Sequence, residues 1–311
     1  VGISFLVAGD SGPEGPILLL ILVYFSWMAR GVIQQAQRFR PVEPAGTWLM
    51  TLVGNLALMA LGIGAFGWYL VGGSTTAWIP FLVFVAGMMG MRAWRRGEVA
   101  KIYAWRTPAL RLLQKGDYKK LVRELEDEAK ADGGHPDKLA VVALAYIELN
   151  KFDYADDLLQ QARALAPDFA SVNGALGSLR RHQARYDEAA GAIRAALRFE
   201  DSVTSRYYLG LCNFLGEDFD RAKAMLKTVM DDPTLLKQGQ AYSAFMLGQI
   251  AEQNGEIDAA QEWYARMAEI APDVLPALRD EMRRHKNTPY SDTLKNNIRQ
   301  MEQIMSRRAS A

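Results

Sequence analysis

One cysteine, Cys212, stands among 311 residues, so no internal disulfide framework is possible. A core thiol packed between helices is the expected role. Histidine is nearly as scarce: only His135, His182 and His285 occur, far apart in sequence and without neighbouring acids placed for general-base work. The chain has no H-E-x-x-H, C-x-x-C, Walker loop or G-x-S-x-G. The acidic pairs Asp156-Asp157 and Asp231-Asp232, and Glu124 with Glu126, read as solvated charges. Catalytic residues, a metal site and a cofactor are therefore not expected. A net charge of +1 gives no reason to expect nucleic acid.

Lysine is absent from residues 1–100. The basic residues there are Arg30, Arg38, Arg40, Arg92, Arg95 and Arg96, and the acidic ones Asp10, Glu14, Glu43 and Glu98. Charge is thus concentrated in the last two-thirds, a layout that suggests lipid as solvent for the first part and water for the rest. Three apolar runs predict transmembrane helices at about 16–33, 48–71 and 77–92 within a membrane domain 1–98. The second is the clearest, with Trp48 at one end and Trp68-Tyr69 at the other. The arginines between the first two runs and after the third predict an N-terminus outside and everything after residue 92 in the cytoplasm. The expected location is a multi-pass protein of the cell inner (cytoplasmic) membrane, in contact with lipid. Gly62, Gly64 and Gly67 spell G-x-G-x-x-G, but in an uncharged apolar run that pattern has no phosphate-binding context. Small residues at Ala60, Gly64, Gly87 and Gly90 predict close helix packing there instead.

What the chain does have is internal repetition. LAVVALAYIELNKFDYADDLLQQARALAPD from Leu139 parallels NGALGSLRRHQARYDEAAGAIRAALRFED from Asn173. YYLGLCNFLGEDFDRAKAMLKTVMDDP from Tyr207 parallels FMLGQIAEQNGEIDAAQEWYARMAEIAPD from Phe245. Each unit has a small residue in its first helix (Ala143, Gly177, Gly210, Gly248) and an alanine twelve positions on (Ala155, Ala189, Ala222, Ala260). A bulky residue follows four later (Leu159, Ile193, Leu226, Tyr264). An aromatic before the second helix (Tyr154, Tyr186, Phe219) is expected to plug the gap, and Pro167 and Pro272 to end two units. The wider spacing from Gly210 to Gly248 predicts an inserted turn in DDPTLLKQGQ.

This pattern resembles the tetratricopeptide repeat, with its period of about 34 residues. The resemblance implies a helical-repeat solenoid, so the expected fold is all-α, with the three predicted N-terminal transmembrane helices followed by that solenoid. Four repeats span 136–273, after a junction and degenerate capping repeat at 99–135 that carries Trp105, Gly116 and Tyr118. Capping helices follow at 274–311, since terminal repeats must shield one face. The resemblance also implies a protein-binding concave face. Its residues here are Ser178, Arg181, Tyr207, Leu211, Phe214, Tyr242, Phe245 and Gln249. The family's carboxylate-clamp Lys and Asn are missing, and the aromatics suit a partner helix. Burying about 400 Å² of such surface is worth about 10 kcal/mol before association costs. The expected function is a membrane-anchored scaffold or accessory subunit of a larger assembly, respiratory or photosynthetic for example. Its partners are other subunits, gripped through both the membrane helices and the groove. The alternative is an assembly or quality-control factor, as in cytochrome and haem biogenesis or translocon support.

Overall fold

The computed structural model describes residues 30, 50, 52–57, 60, 64, 78–131 and 134–309. The chain forms two compact units, residues 1–107 and 108–311.

In the first unit, helix α1 runs from Trp78 to Ile102. Its apolar part, Trp78 to Met91, is fourteen residues, about 21 Å at ~1.5 Å per residue, short of a bilayer core of about 30 Å. Arg92, Arg95, Arg96, Glu98 and Lys101 occupy the remainder of the same helix, with Lys101 paired to Glu98 at 2.7 Å. Among the described residues no helix is long and apolar enough to cross a membrane. The multi-pass inner-membrane location is therefore withdrawn, and with it the assignment of an outer N-terminus and cytoplasmic repeats. Of the expected spans, 16–33 lies outside the described residues except for Arg30, and 48–71 is described only at 50, 52–57, 60 and 64. Ala60, Gly64 and Gly90 are exposed and Gly87 half-buried. Among the described residues, a Cβ added at Gly64 or Gly90 would meet nothing within 4 Å, whereas one at Gly54 would strike the Met91 side chain.

The second unit is all-α and built from helix pairs. Helices α2 (Arg106–Lys115) and α3 (Tyr118–Lys130) precede four pairs: α4 (Pro136–Glu148) with α5 (Phe152–Leu165), α6 (Ala170–His182) with α7 (Tyr186–Leu197), α8 (Val203–Leu215) with α9 (Phe219–Val229), and α10 (Lys237–Gln253) with α11 (Ile257–Arg284). Helix α12 (Pro289–Ala309) ends the described chain. The recurring residues meet one another. A Cβ at Gly177 would lie 2.5 Å from Ile193 Cγ1, and one at Gly210 would lie 2.8 Å from Leu226 Cδ2. At Gly248 it would run into the Tyr264 ring. The small residue of each first helix thus makes room for the bulky residue sixteen positions later, while Ala155, Ala189, Ala222 and Ala260 are buried at the seam. The helical-repeat architecture read from the sequence is what the chain forms.

The turns repeat as faithfully as the seams. Gly116, Asn150, Ala184, Glu217 and Gly255 all have positive φ, between 57° and 77°. In each case the next residue donates its N–H to the carbonyl five before it, as in Lys151 to Tyr146 at 2.9 Å and Asp218 to Asn213 at 2.8 Å. This left-handed closure satisfies carbonyls that a helix end leaves open and fixes the angle at which the second helix returns.

Two local expectations need correction, and the third, the inserted turn, is met with an addition. The residue opening the second helix in the first three units, three before the seam alanine, is Phe152, Tyr186 or Phe219, all half-buried. Tyr154 lies two positions later in its unit and is 59% exposed, its ring stacked 5.5 Å from Tyr146. Pro272 ends no unit: α11 continues through Pro272 and Pro276. Losing those two N–H groups is tolerated because the distal half buries Val274, Leu275 and Leu278. The insertion in DDPTLLKQGQ becomes two things: a turn pinned by Asp232, which accepts from the Thr234 N–H at 2.9 Å, and an early start of α10, which takes in Lys237 to Gln240.

Candidate functional site

The first helices α4, α6, α8 and α10 present the face on which the groove was expected. Tyr207, Leu211, Tyr242 and Phe245 do lie together, but in a buried core shared with Tyr290, Leu294, Ile298 and Met301 of α12. Phe214 packs against that core, half-buried. The Asn297 amide donates to the Tyr242 hydroxyl, and the Gln249 amide donates to the Gln300 carbonyl at 2.6 Å. Arg181 is buried beneath the Tyr290 ring, 4.4 Å from its centroid, with Tyr208 at 5.1 Å and Glu281 at 4.0 Å. Ser178 is half-buried, and its carbonyl accepts from His182 Nδ1 at 2.8 Å.

The face expected to be open is therefore covered by the chain's own end. The physical reason is the length of α11 and the pattern of α12. With 28 residues, α11 extends about 42 Å at ~1.5 Å per residue, enough to run from the fourth pair back to the first two. In α12, Tyr290, Leu294, Ile298 and Met301 fall on one stripe at helical spacing, and that stripe faces the repeats.

Beneath the cover lies a cluster that sequence reasoning missed. Glu148, His182 and His285 bring one ligand-type atom each within 4.8 Å of one another. Both imidazoles are 0% exposed. His182 Nδ1 faces a backbone carbonyl, which can only accept, so the proton sits on Nδ1. Asn150 donates its amide to the Arg284 carbonyl at 2.7 Å, which turns its Oδ1 to His285 Nδ1 at 2.9 Å. Both Nε2 atoms are buried without a hydrogen-bond partner. His285 Nε2 lies 3.5 Å from Glu148 Oε2, and Arg284 Nε lies 3.6 Å from that same oxygen. Burial, then the Arg181 charge and His285, push His182 well below the usual imidazole range and keep it neutral. Burial alone would raise Glu148, but His285, Arg284 and Arg181 outweigh it and hold the carboxyl below its ordinary value. The absence of acids beside these histidines in sequence was thus misleading, because the acid arrives from another helix.

One signal for this cluster is present in the sequence. Glu148 and His182 each end a first helix and are one repeat apart, the spacing of 34 that also joins the Ser171 hydroxyl to the Asp137 carboxylate. Equivalent positions of successive repeats are neighbours. Nothing comparable points to His285, 135 positions from its partner Asn150.

No family profile matches the chain, and no curated protein matches it. Solved structures with a similar arrangement include three of MamA. The one designated MSR-1 is 20% identical, covering 56% of this chain and 98% of its own, with a TM-score of 0.44. MamA 41-end from Desulfovibrio magneticus RS-1 is 19% identical, covering 56% and 96%, with a TM-score of 0.45. MamA AMB-1 is 22% identical, covering 54% and 96%, with a TM-score of 0.44. A likeness this distant carries no reading of function, and the architecture stands on the seams and turns described above.

Proposed function

We propose that this chain is a protein-interaction scaffold whose first-helix face accepts an amphipathic helix from a partner protein, in the place that α12 holds. The observation that carries the reading is the burial of Tyr290, Leu294, Ile298 and Met301 in one core with Tyr207, Leu211, Tyr242 and Phe245, with Asn297 donating to the Tyr242 hydroxyl and Gln249 to the Gln300 carbonyl. A face that binds one such helix from its own chain has the shape and chemistry to bind another, by the helix-in-groove mode. The reading assigns the chain no reaction of its own.

A stable accessory subunit and a transient assembly or quality-control factor place different demands on this face. A partner must first displace four apolar side chains, each worth about 1.5–3 kcal/mol when buried. That competition favours reversible engagement, and so the assembly-factor reading.

The test uses the full chain with Leu294→Asp and Ile298→Asp together, which unseats α12 while leaving the repeats intact. The probe is a labelled peptide of residues 289–309. The expected result is saturable binding to the variant and at least tenfold weaker binding to the wild type. A variant that keeps its helical circular dichroism yet ignores the peptide would overturn the proposal.

A further inference from the structure

We infer that Glu148, His182 and His285 form a binding site for a divalent metal ion of the zinc class, which ties the end of α11 to the first two repeats. The site is independent of the reading of the groove: metal uptake can fail while the peptide still binds, and the reverse.

The first argument is the direction of the lone pairs. With Nδ1 of each ring donating to a protein oxygen, Nε2 is the atom that carries the lone pair whenever the ring is neutral. Both Nε2 atoms are buried without a hydrogen-bond partner and lie close to a carboxylate oxygen. Two buried imidazole nitrogens and a partly buried carboxylate oxygen converge here, and a cation among them relieves their mutual repulsion. Protonating His285 at Nε2 would satisfy it against Glu148, but His182 Nε2 would still have no partner. A metal ion satisfies all three at once.

The second argument is how the ligands are held. A metal-bound imidazole characteristically donates its other N–H to a carbonyl or carboxylate, which fixes its tautomer and orientation. The Ser178 carbonyl and the Asn150 side chain already do this for His182 and His285. Two nitrogens and one carboxylate oxygen suit zinc and its neighbours rather than calcium or magnesium, which take oxygen ligands. Bonds of about 2.0–2.2 Å put ligand atoms roughly 3.3 Å apart in a tetrahedron, so the group must close by at most about 1.5 Å. Water completes the fourth position from the side of Glu148, whose side chain is 25% exposed.

The opposing effect is positive charge. Arg284 competes for the Glu148 oxygen, but its side chain is 45% exposed and can turn into water, where such a pair is worth about 1 kcal/mol or less. Arg181 is buried and cannot leave, but Glu281 and the faces of Tyr290 and Tyr208 already meet its charge.

The experiment uses the untagged full chain, stripped with a chelator and titrated with zinc, and separately with cobalt(II) as a visible reporter. Uptake of one equivalent is expected, with the visible bands of low-coordinate cobalt and a rise in thermal midpoint. Glu148→Gln, His182→Gln and His285→Gln should each weaken uptake at least tenfold, and Asn150→Ala roughly tenfold through loss of the outer support. His135→Gln should leave it unchanged. Circular dichroism without metal shows whether each variant is folded. If the wild type takes up neither ion at micromolar concentration, or if uptake is indifferent to all three ligand changes, the inference is wrong.

Discussion

Two kinds of seam hold the second unit together, and they differ in chemistry. Between the helices of each pair the buried contact is chiefly one of shape. Gly177 meets Ile193, Gly210 meets Leu226, and a buried alanine sits beside each. Between the repeats and the C-terminal helices the contact is mixed. An apolar stripe lies beside Arg181, Glu281, Asn297, Gln249 and the His182–His285 pair, whose rings are 4.3 Å apart. An apolar seam has no alternative partner in water, whereas a polar one trades its bonds for hydration at a net difference of about 1 kcal/mol each. The first kind of seam is therefore expected to outlast the second when the molecule is destabilised.

The sharpest way to break the comparison is to overpack one seam of the first kind. Gly177→Leu should destabilise the unit by about 3 kcal/mol or more, because the added carbons collide with Ile193 and with the Ala189 carbonyl, 3.3 Å from an ideal Cβ. Gly174 lies on the same helix, and a Cβ there meets nothing within 4 Å among the described residues. Gly174→Ala should instead stabilise by roughly 0.5–1 kcal/mol through helix propensity. Urea midpoints of the two variants should move in opposite directions, and a shared direction would show that the seam is not what selects glycine.

A smaller and more local effect is expected at the mixed seam. Tyr290→Ala removes the ring above Arg181 and part of the stripe buried on Tyr207 and Tyr242. A loss of roughly 3 kcal/mol is expected, felt by α12 before the repeats. Amide exchange across Pro289–Ala309 should quicken by about a hundredfold while α4 and α5 keep their protection. Equal acceleration in both regions would mean that cover and repeats unfold as one body.

The same contrast explains what was legible beforehand. Pair seams join residues sixteen positions apart, so their signature survives as a short, repeated spacing, and the all-α repeat fold followed from it. The cover joins residues such as Asn150 and His285, 135 positions apart, and no periodicity records such a meeting. The aromatics of the expected groove were identified as neighbours, but their exposure could not be inferred because the occupant was α12. Tyr154 and Phe152 are both aromatic, and only the turn geometry shows that Phe152 opens the second helix. Pro272 read as a terminator because local backbone rules favour one, while the burial of Leu275 and Leu278 that overrides them is tertiary. The third apolar run reads as a span from its hydropathy and closing arginines, a local pattern that does not show charge continuing the run within a single helix.

The finest test concerns the turns that set each seam's angle. Ala184 and Gly255 hold equivalent positions in the second and fourth units, with φ of 57° and 74°. A side chain in this left-handed region is strained by roughly 1 kcal/mol, because Cβ approaches the carbonyl oxygen, and glycine is free of that strain. Ala184→Gly should therefore stabilise the unit by roughly 0.5–1 kcal/mol, less the greater freedom glycine gives the unfolded chain. Gly255→Ala should destabilise it by about the same amount, and its Cβ would meet nothing within 4 Å among the described residues, so no steric clash confuses the reading. Calorimetric midpoints for the pair would move oppositely by a few degrees. If Ala184→Gly lowered the midpoint, the second unit's turn would owe its form to packing around the Ala184 methyl, and the five turns would not be equivalent after all.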